Sequence, residues 1–135
     1  MMDEPLIALF DAALLAQARA HAPYSGFPVG AALLDDKGGI HAGCNVENAA
    51  YPVGTCAEAG AISAMVTGGG TRIMAILILG DGNALVTPCG ACRQRIREFG
   101  TPGTHVHIAD GKGLRARFTL DELLPASFGP ANLKS

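Results

Sequence analysis

Three thiols and one carboxylate stand at spacings that suit metal chemistry: Cys56 and Glu58 in Thr55-Cys56-Ala57-Glu58, and Cys89 and Cys92 in Thr87-Pro88-Cys89-Gly90-Ala91-Cys92. If Cys89 opens a helix, Cys92 projects from the same first turn and the two sulfurs form a chelate. A helix N-terminus adds unpaired N–H groups and partial positive charge, which favour the thiolate that binds metal. Cys56 precedes an apolar run, Ala57 to Val66, that reads as a second helix starting at Thr55. Two such helix starts facing one another would gather three thiolates and leave a tetrahedral zinc ion one open corner, the mark of a catalytic rather than a structural site. Glu58 would reach a water in that corner without displacing it. A Cys-x-x-Cys pair by itself fits equally a redox pair, half of a structural zinc knuckle, or two buried core cysteines. The company it keeps is what separates these readings: a proline before the pair, Cys-x-Glu upstream, and a helical pattern after each half.

The elements that must position these groups follow from the hydrophobic pattern. Asp3 is a fair N-cap, and Leu6, Ile7, Phe10, Leu14 and Ala18 recur at helical spacing, which predicts an amphipathic helix ending near His21. Nothing near His21 suggests a site, so it reads as a solvated helix end. Phe27 to Leu34 is apolar on both faces, as expected of a central strand covered by helices on each side, with Pro28 at its start. Asp35 to Gly39 is a hairpin turn, returning Ile40 to Val46 antiparallel. A loop, Glu47 to Gly54, leads to the helix at Thr55, which Gly68-Gly69-Gly70 closes. Ile73 to Leu79 reads as a second buried strand, Cys89 to Phe99 as the third helix, His105 to Ile108 and Leu114 to Thr119 as strands, and Asp121 to Leu124 as a short helix. His105 and His107 would share a strand face, read here as polar rather than as a metal pair. The alternation predicts an α/β protein, a three-layer α/β/α sandwich with its site at helix N-termini beyond strand ends.

Composition narrows the class further. A chain of 135 residues is expected to form one domain spanning 1–135. Its net charge is −2 and its arginines cluster only at Arg93, Arg95 and Arg97, which argues against nucleic acid as a partner. Four cysteines, and Asp3 and Glu4 where a secretory leader would carry positive charge, point to a reducing, cytoplasmic setting; no run is long enough for a membrane span. Counting glycine among the apolar residues gives roughly 60% against a usual ~45–50%, an excess that suggests apolar surface buried by other subunits.

The ordered motifs resemble the small zinc-dependent cytidine deaminase family of the three-cysteine type. They are Ala22-Pro23-Tyr24-Ser25, Phe27-Pro28-Val29-Gly30-Ala31-Ala32-Leu33, Gly43 through Tyr51, Cys56-Ala57-Glu58, Pro88-Cys89-Gly90-Ala91-Cys92-Arg93-Gln94 and Glu122-Leu123-Leu124-Pro125, which run nearly the whole chain in order. The resemblance implies a mixed five-stranded sheet and one Zn²⁺ per subunit on Cys56, Cys89 and Cys92, with Glu58 as proton shuttle. It implies hydrolysis of cytidine and deoxycytidine to uridine, deoxyuridine and ammonia, by attack of zinc-activated hydroxide on C4. Asn45 and Glu47 would grip the ribose, Phe27 would pack on the pyrimidine, and the Ala57 N–H and Thr87 carbonyl would read the base edge. A homotetramer with shared active sites is also implied, with Tyr51 and Phe128 as candidates for residues lent between subunits.

Taken without that resemblance, Asn45 and Glu47 read as a loop-capping pair. Cys44 is assigned to packing, since a fourth thiolate would close the metal site. Many relatives of this type carry arginine directly after the shuttle glutamate, where this chain has Ala59. Three thiolates on Zn²⁺ leave a net charge of −1, so helix dipoles and donors such as Gln94 must do more, or one of Arg93 and Arg95 moves in, and the activated water is expected to be less acidic than in relatives with that arginine. Two rival readings remain: a deaminase of another aminopyrimidine nucleoside, such as blasticidin S or a modified cytosine nucleoside, and a structural zinc or redox module. The second predicts closure of the metal by Cys44 or a disulfide between Cys89 and Cys92.

Overall fold

The computed structural model describes residues 3–134. Asp3 Oδ1 accepts the Leu6 N–H (3.0 Å) and starts α1, Glu4–Gln17, which buries Leu9 and Ala13. It stops one turn short of the expected end, and His21 instead binds through its backbone to Asn45 and Glu47. The strands are β1 (Val29–Asp35), β2 (Ile40–Cys44), β3 (Ile73–Gly80), β4 (His105–Asp110) and β5 (Gly113–Thr119); the remaining helices are α2 (Ala57–Thr67), α3 (Gly90–Phe99) and α4 (Leu120–Leu123). They form one sheet in the order β2-β1-β3-β4-β5, antiparallel except for the β3·β4 pair.

Alternation along β1 explains the three layers. Ala31 and Leu33 face one side with Ile76 and Ile78 of β3, under Ala61 and Met65 of α2 and Ile96 of α3. Ala32 faces the other with Leu77 and Leu79, under Leu9 and Ala13 of α1. A strand buried on both faces has no polar positions to spare, which is why β1 and β3 read as continuous apolar runs.

Two strand boundaries differ from expectation for local reasons. Pro28 has no N–H to give a ladder, so β1 begins at Val29. β2 ends at Cys44 because Val46 turns away to exchange both backbone hydrogen bonds with Thr55 (3.0 and 2.9 Å). That bridge lays the 45–56 segment across the sheet end and aims the chain into α2. His107 also differs from the polar-face reading: it is buried, its Nδ1 has no partner, and burial lowers its pKa. No helix among the described residues is long and apolar enough to cross a membrane.

Candidate metal centre and active site

The ladder pairs Val29 with Gly80 and Gly30 with Cys44, so the end of β2, the start of β1 and the end of β3 meet at one edge of the sheet. At that edge both cysteine-bearing helices begin. Cys56 is the N-cap of α2 and Cys89 the N-cap of α3, and neither side chain caps its own helix. The sulfurs can therefore turn toward a third group, while the first-turn N–H groups of Ala91 and Cys92 lie close enough to favour the Cys89 thiolate.

The three sulfurs of Cys56, Cys89 and Cys92 lie within 4.8 Å of one another, with Cys56 and Cys89 at 4.0 Å. Tetrahedral zinc with bonds of ~2.3 Å to sulfur requires separations of about 3.8 Å, so the donor set fits that ion in number, chemistry and spacing. Cys44 is half-buried and outside the cluster, and the cysteines are free thiols. Both structural features of the redox or closed-zinc reading, a Cys89–Cys92 disulfide and a fourth sulfur, are thus absent among the described residues.

Burial and mutual repulsion govern the thiols without a cation. Burial, then the neighbouring Glu58, Cys56 and Cys89, push Cys92 far up. Burial likewise raises Cys56, against an offsetting hydrogen bond with Cys92. Burial also opposes ionisation of Cys89, but N–H groups of Cys92 and Ala91 and the adjacent sulfurs outweigh it and bring that thiol down. Cys56 and Cys92, crowded beside a carboxylate and a third sulfur, are costly to ionise unless a cation arrives, whereas Cys89 already favours the thiolate.

Glu58 sits on the first turn of α2 and is 4% exposed. Desolvation raises its pKa, only partly offset by its own N–H, Cys92 and the more distant charge of Arg95. It lines a cavity of about 570 Å³ together with Cys56, Cys89, Ala57, Thr87 and Glu47. That volume falls in the usual range of small-molecule clefts.

Asn45 and Glu47 form part of the cavity wall and also hold the loop beside it. Asn45 Oδ1 accepts the Val29 N–H (2.9 Å) and its Nδ2 donates to the Phe27 carbonyl (2.9 Å). Glu47 Oε1 accepts the N–H groups of Tyr24 (2.9 Å) and Ser25 (3.1 Å), while Oε2 accepts the Ser25 hydroxyl. Its pKa is lowered by that hydroxyl first and the Ser25 N–H second. Tyr24 and Ser25 enter the sequence reading only within the motif Ala22-Pro23-Tyr24-Ser25, with no role of their own; the signal that could find them is a hydroxyl and two successive N–H groups in a loop that needs an anchor.

Phe27 and Phe128 are 42% and 55% exposed and lie outside the lining of this cavity; Tyr51 lines it and is 75% exposed, its ring 5.9 Å from that of Tyr24. Gln94 does not approach the sulfurs: its Nε2 donates to the Phe128 carbonyl (2.8 Å), tying the C-terminal segment to α3. Arg93 is also committed elsewhere, to the carbonyls of Pro88 (2.7 Å) and Leu123 (2.8 Å) and to Thr87 Oγ1 (3.2 Å), so it braces the loop carrying Thr87.

An α/β/α sandwich with three convergent thiols, an open side toward a cavity and a buried carboxylate on the same helix turn defines a metal-dependent protein of the zinc hydrolase kind. Comparison with known proteins sharpens this. Residues 4–108 match the family described as the cytidine and deoxycytidylate deaminase zinc-binding region, and the chain belongs to that family. It is 42% identical over 118 residues to a cytidine deaminase of Sporosarcina psychrophila, covering 87% of each chain. The crystal structure of cytidine deaminase from Burkholderia pseudomallei superposes with a TM-score of 0.84 at 38% identity, covering 94% of this chain and 100% of that one. For the Mycobacterium tuberculosis enzyme the TM-score is 0.79 at 37% identity, covering 94% and 99%.

Proposed function

We propose that the protein hydrolyses cytidine and deoxycytidine to uridine and deoxyuridine with release of ammonia, using one zinc ion per subunit held by Cys56, Cys89 and Cys92. The observation that carries this reading is the buried Glu58 carboxyl beside three clustered sulfurs, with Glu58, Cys56 and Cys89 lining one cavity. When bound, zinc supplies a water of lowered pKa, so a nucleophile exists near neutral pH. Glu58 accepts the proton which that water releases and delivers it to N3 of the pyrimidine, leaving C4 electrophilic. The water oxygen bonds to C4. Glu58 then moves the proton of the new hydroxyl to the exocyclic nitrogen as the C4–N bond breaks, so C4 becomes a carbonyl and ammonia leaves. One carboxyl must serve as base and then acid, and burial brings its pKa upward toward the range where both are possible.

The substrate contacts follow from groups with capacity left over. Glu47 remains an anion, and a carboxylate has about four acceptor sites, so it can receive a ribose hydroxyl as well as the loop. It would repel a phosphate there, which favours a free nucleoside over a polynucleotide. Asn45 keeps one N–H. The Ala57 N–H and the Thr87 carbonyl, both in the cavity lining, are assigned to the base edge; Phe27, outside that lining, is assigned to the base face on the family resemblance alone. Tyr24, Val46 and Tyr51 line the cavity and are exposed, as are Val53 and Phe128 outside it, and we assign all five to contacts in a homotetramer in which Tyr51 and Phe128 serve neighbouring sites. Free cysteines are consistent with a cytoplasmic, reducing setting.

The test is ammonia release from cytidine by purified protein, with zinc measured on the same sample and a panel of aminopyrimidine nucleosides run alongside. Bound zinc with no turnover of cytidine or deoxycytidine would refute the substrate assignment, and activity confined to another nucleoside of the panel would replace it.

A further inference from the structure

With zinc bound, three thiolates leave the centre at a net −1, and the Glu58 carboxyl adds to that when ionised. Cys89 is exposed and Cys56 half-buried, so water can reach their share of that charge, but Cys92 is buried and its share must be offset by the protein. Helix α2 offers no cation: the residues around Glu58 are Ala57, Ala59, Gly60 and Ala61, and the next basic residue along the chain is Arg72. Helix α3 carries three. Arg93 is used on the Pro88 and Leu123 carbonyls and Thr87, and Arg97 on the Ser127 hydroxyl (2.9 Å) and the Gly100 carbonyl (3.4 Å). Arg95 alone turns toward a sulfur, its Nη1 donating to Cys92 Sγ at 3.3 Å. The two lie three positions apart, so the helix itself brings the guanidinium back over the first turn. Cys92 is 0% exposed, so this hydrogen bond takes the place of any solvent donor to its sulfur.

We propose that Arg95 is a positioning residue for the metal centre: its guanidinium offsets the surplus negative charge of the three-thiolate site and withdraws electron density from the Cys92 sulfur. The first effect favours the metal-bound state. The second keeps the ion a stronger Lewis acid than three unmoderated thiolates would allow. Arg95 touches no reacting atom. Partners of this kind, hydrogen-bonded to a ligand rather than to the metal, typically change metal affinity or activity 10–100-fold when removed.

The inference rests on the zinc reading above, and the experiment separates the two. Holoprotein is titrated with a chromophoric chelator to obtain the zinc dissociation constant for the unsubstituted protein, Arg95→Gln and Arg95→Lys. The cobalt-substituted forms of all three are compared by their thiolate-to-metal charge-transfer bands. Arg95→Gln is expected to bind zinc about 10–100-fold more weakly and to move the charge-transfer band to lower energy, as a more electron-rich sulfur must. Arg95→Lys is expected to restore most of the affinity. Melting of the chelated, metal-free proteins should coincide, which separates lost charge from lost fold. If Arg95→Gln holds zinc within about twofold of the unsubstituted protein with its cobalt spectrum unmoved, or if lysine rescues nothing, the proposal fails while the zinc assignment stands. If the unsubstituted protein itself binds no zinc tightly, the parent reading fails.

Discussion

Gly43 is the point at which a single methyl group should disable the site without touching it. A Cβ placed there would lie 2.5 Å from the Ala57 carbonyl oxygen and 2.5 Å from the Ala61 nitrogen, with the Gly60 carbonyl carbon at 2.7 Å. All three are backbone atoms of α2, so no rotamer change relieves the clash; the helix must lift from β2. Moving from 2.5 Å to between 3.0 and 3.4 Å, where carbon contacts become tolerable, takes a shift of about 0.5–0.9 Å. Overpacking of this sort costs typically ~1–3 kcal/mol. Alanine in a strand recovers roughly 0.5–1 kcal/mol over glycine, so clash wins and Gly43→Ala is expected to lose about 1–2 kcal/mol net. The kinetic effect should be larger than the stability loss suggests. Cys56 caps α2 and Glu58 sits in its first turn, and a misplacement near 1 Å costs on the order of 10²-fold in rate. We expect kcat for cytidine to fall about 10–100-fold, measured by ammonia release at a temperature where both proteins are fully folded by circular dichroism. The control is Gly70→Ala, whose Cβ would overpack Met65 and Asp35 at 2.6–3.0 Å beyond the far end of the same helix. It should lower the melting temperature and leave kcat nearly unchanged. Turnover and melting of Gly43→Ala that match the unsubstituted protein would refute the reasoning.

Glu58→Gln, which preserves shape but removes the shuttle, should retain zinc by metal analysis and lose about 10²–10⁴-fold in kcat; loss of metal together with activity would mean that Glu58 acts as a ligand instead. Acid should destabilise the fold through three carboxylates. Asp35 is held below its ordinary 3.8 by His41 first, Asp36 below 3.8 by the Thr71 N–H first, and Glu47 below 4.5 by the Ser25 hydroxyl first. A depressed folded pKa means stability that is present above the unfolded value and lost as pH falls through the folded one. The melting temperature should therefore hold from neutrality to about pH 5 and decline below ~4.5, and Asp36→Asn should flatten that decline in thermal melts from pH 3 to 7.

Much of this arrangement is legible in one dimension because it depends on local periods. The Cys89–Cys92 spacing is a helix's first turn, Cys56 and Glu58 flank another, and the unbroken apolar runs of β1 and β3 announce strands covered on both faces. What escapes local pattern is the aim of side chains whose partners come from elsewhere in the chain. Three arginines occur at alternate positions, 93, 95 and 97, and residue type alone does not say which one meets a sulfur. Arg93 and Arg97 are drawn off by Leu123, Thr87 and Ser127, segments that the folded chain brings to α3, which leaves Arg95 to meet the sulfur three positions back on its own helix. His107 is missed for the same reason: the strand pattern His105-Val106-His107-Ile108 reports alternation, but only the folded chain decides that His107 is buried while His105 stays exposed.

Asn45 and Glu47 show a third kind of limit, because two sequence readings that looked like rivals are compatible in the structure. The carboxylate of Glu47 pins Tyr24 and Ser25, and the amide of Asn45 pins Phe27 and Val29. Each bond fixes the loop that carries Phe27 relative to the end of β2. If the same atoms also accept and donate to a ribose, substrate binding and loop placement share one set of hydrogen bonds, and a conservative change must disturb both. Glu47→Gln should thus raise KM for cytidine by about tenfold or more, since truncating a charge-assisted bond costs ~1.5–3 kcal/mol, and should loosen the 24–27 segment in hydrogen exchange. Ser25→Ala frees one carboxylate oxygen without removing charge. A purely structural Glu47 predicts that Ser25→Ala loosens the loop and leaves KM alone; a Glu47 that also holds the sugar predicts a lower KM despite the looser loop, because the freed oxygen can accept from the ribose, and a KM unchanged in Glu47→Gln would eliminate the ribose role.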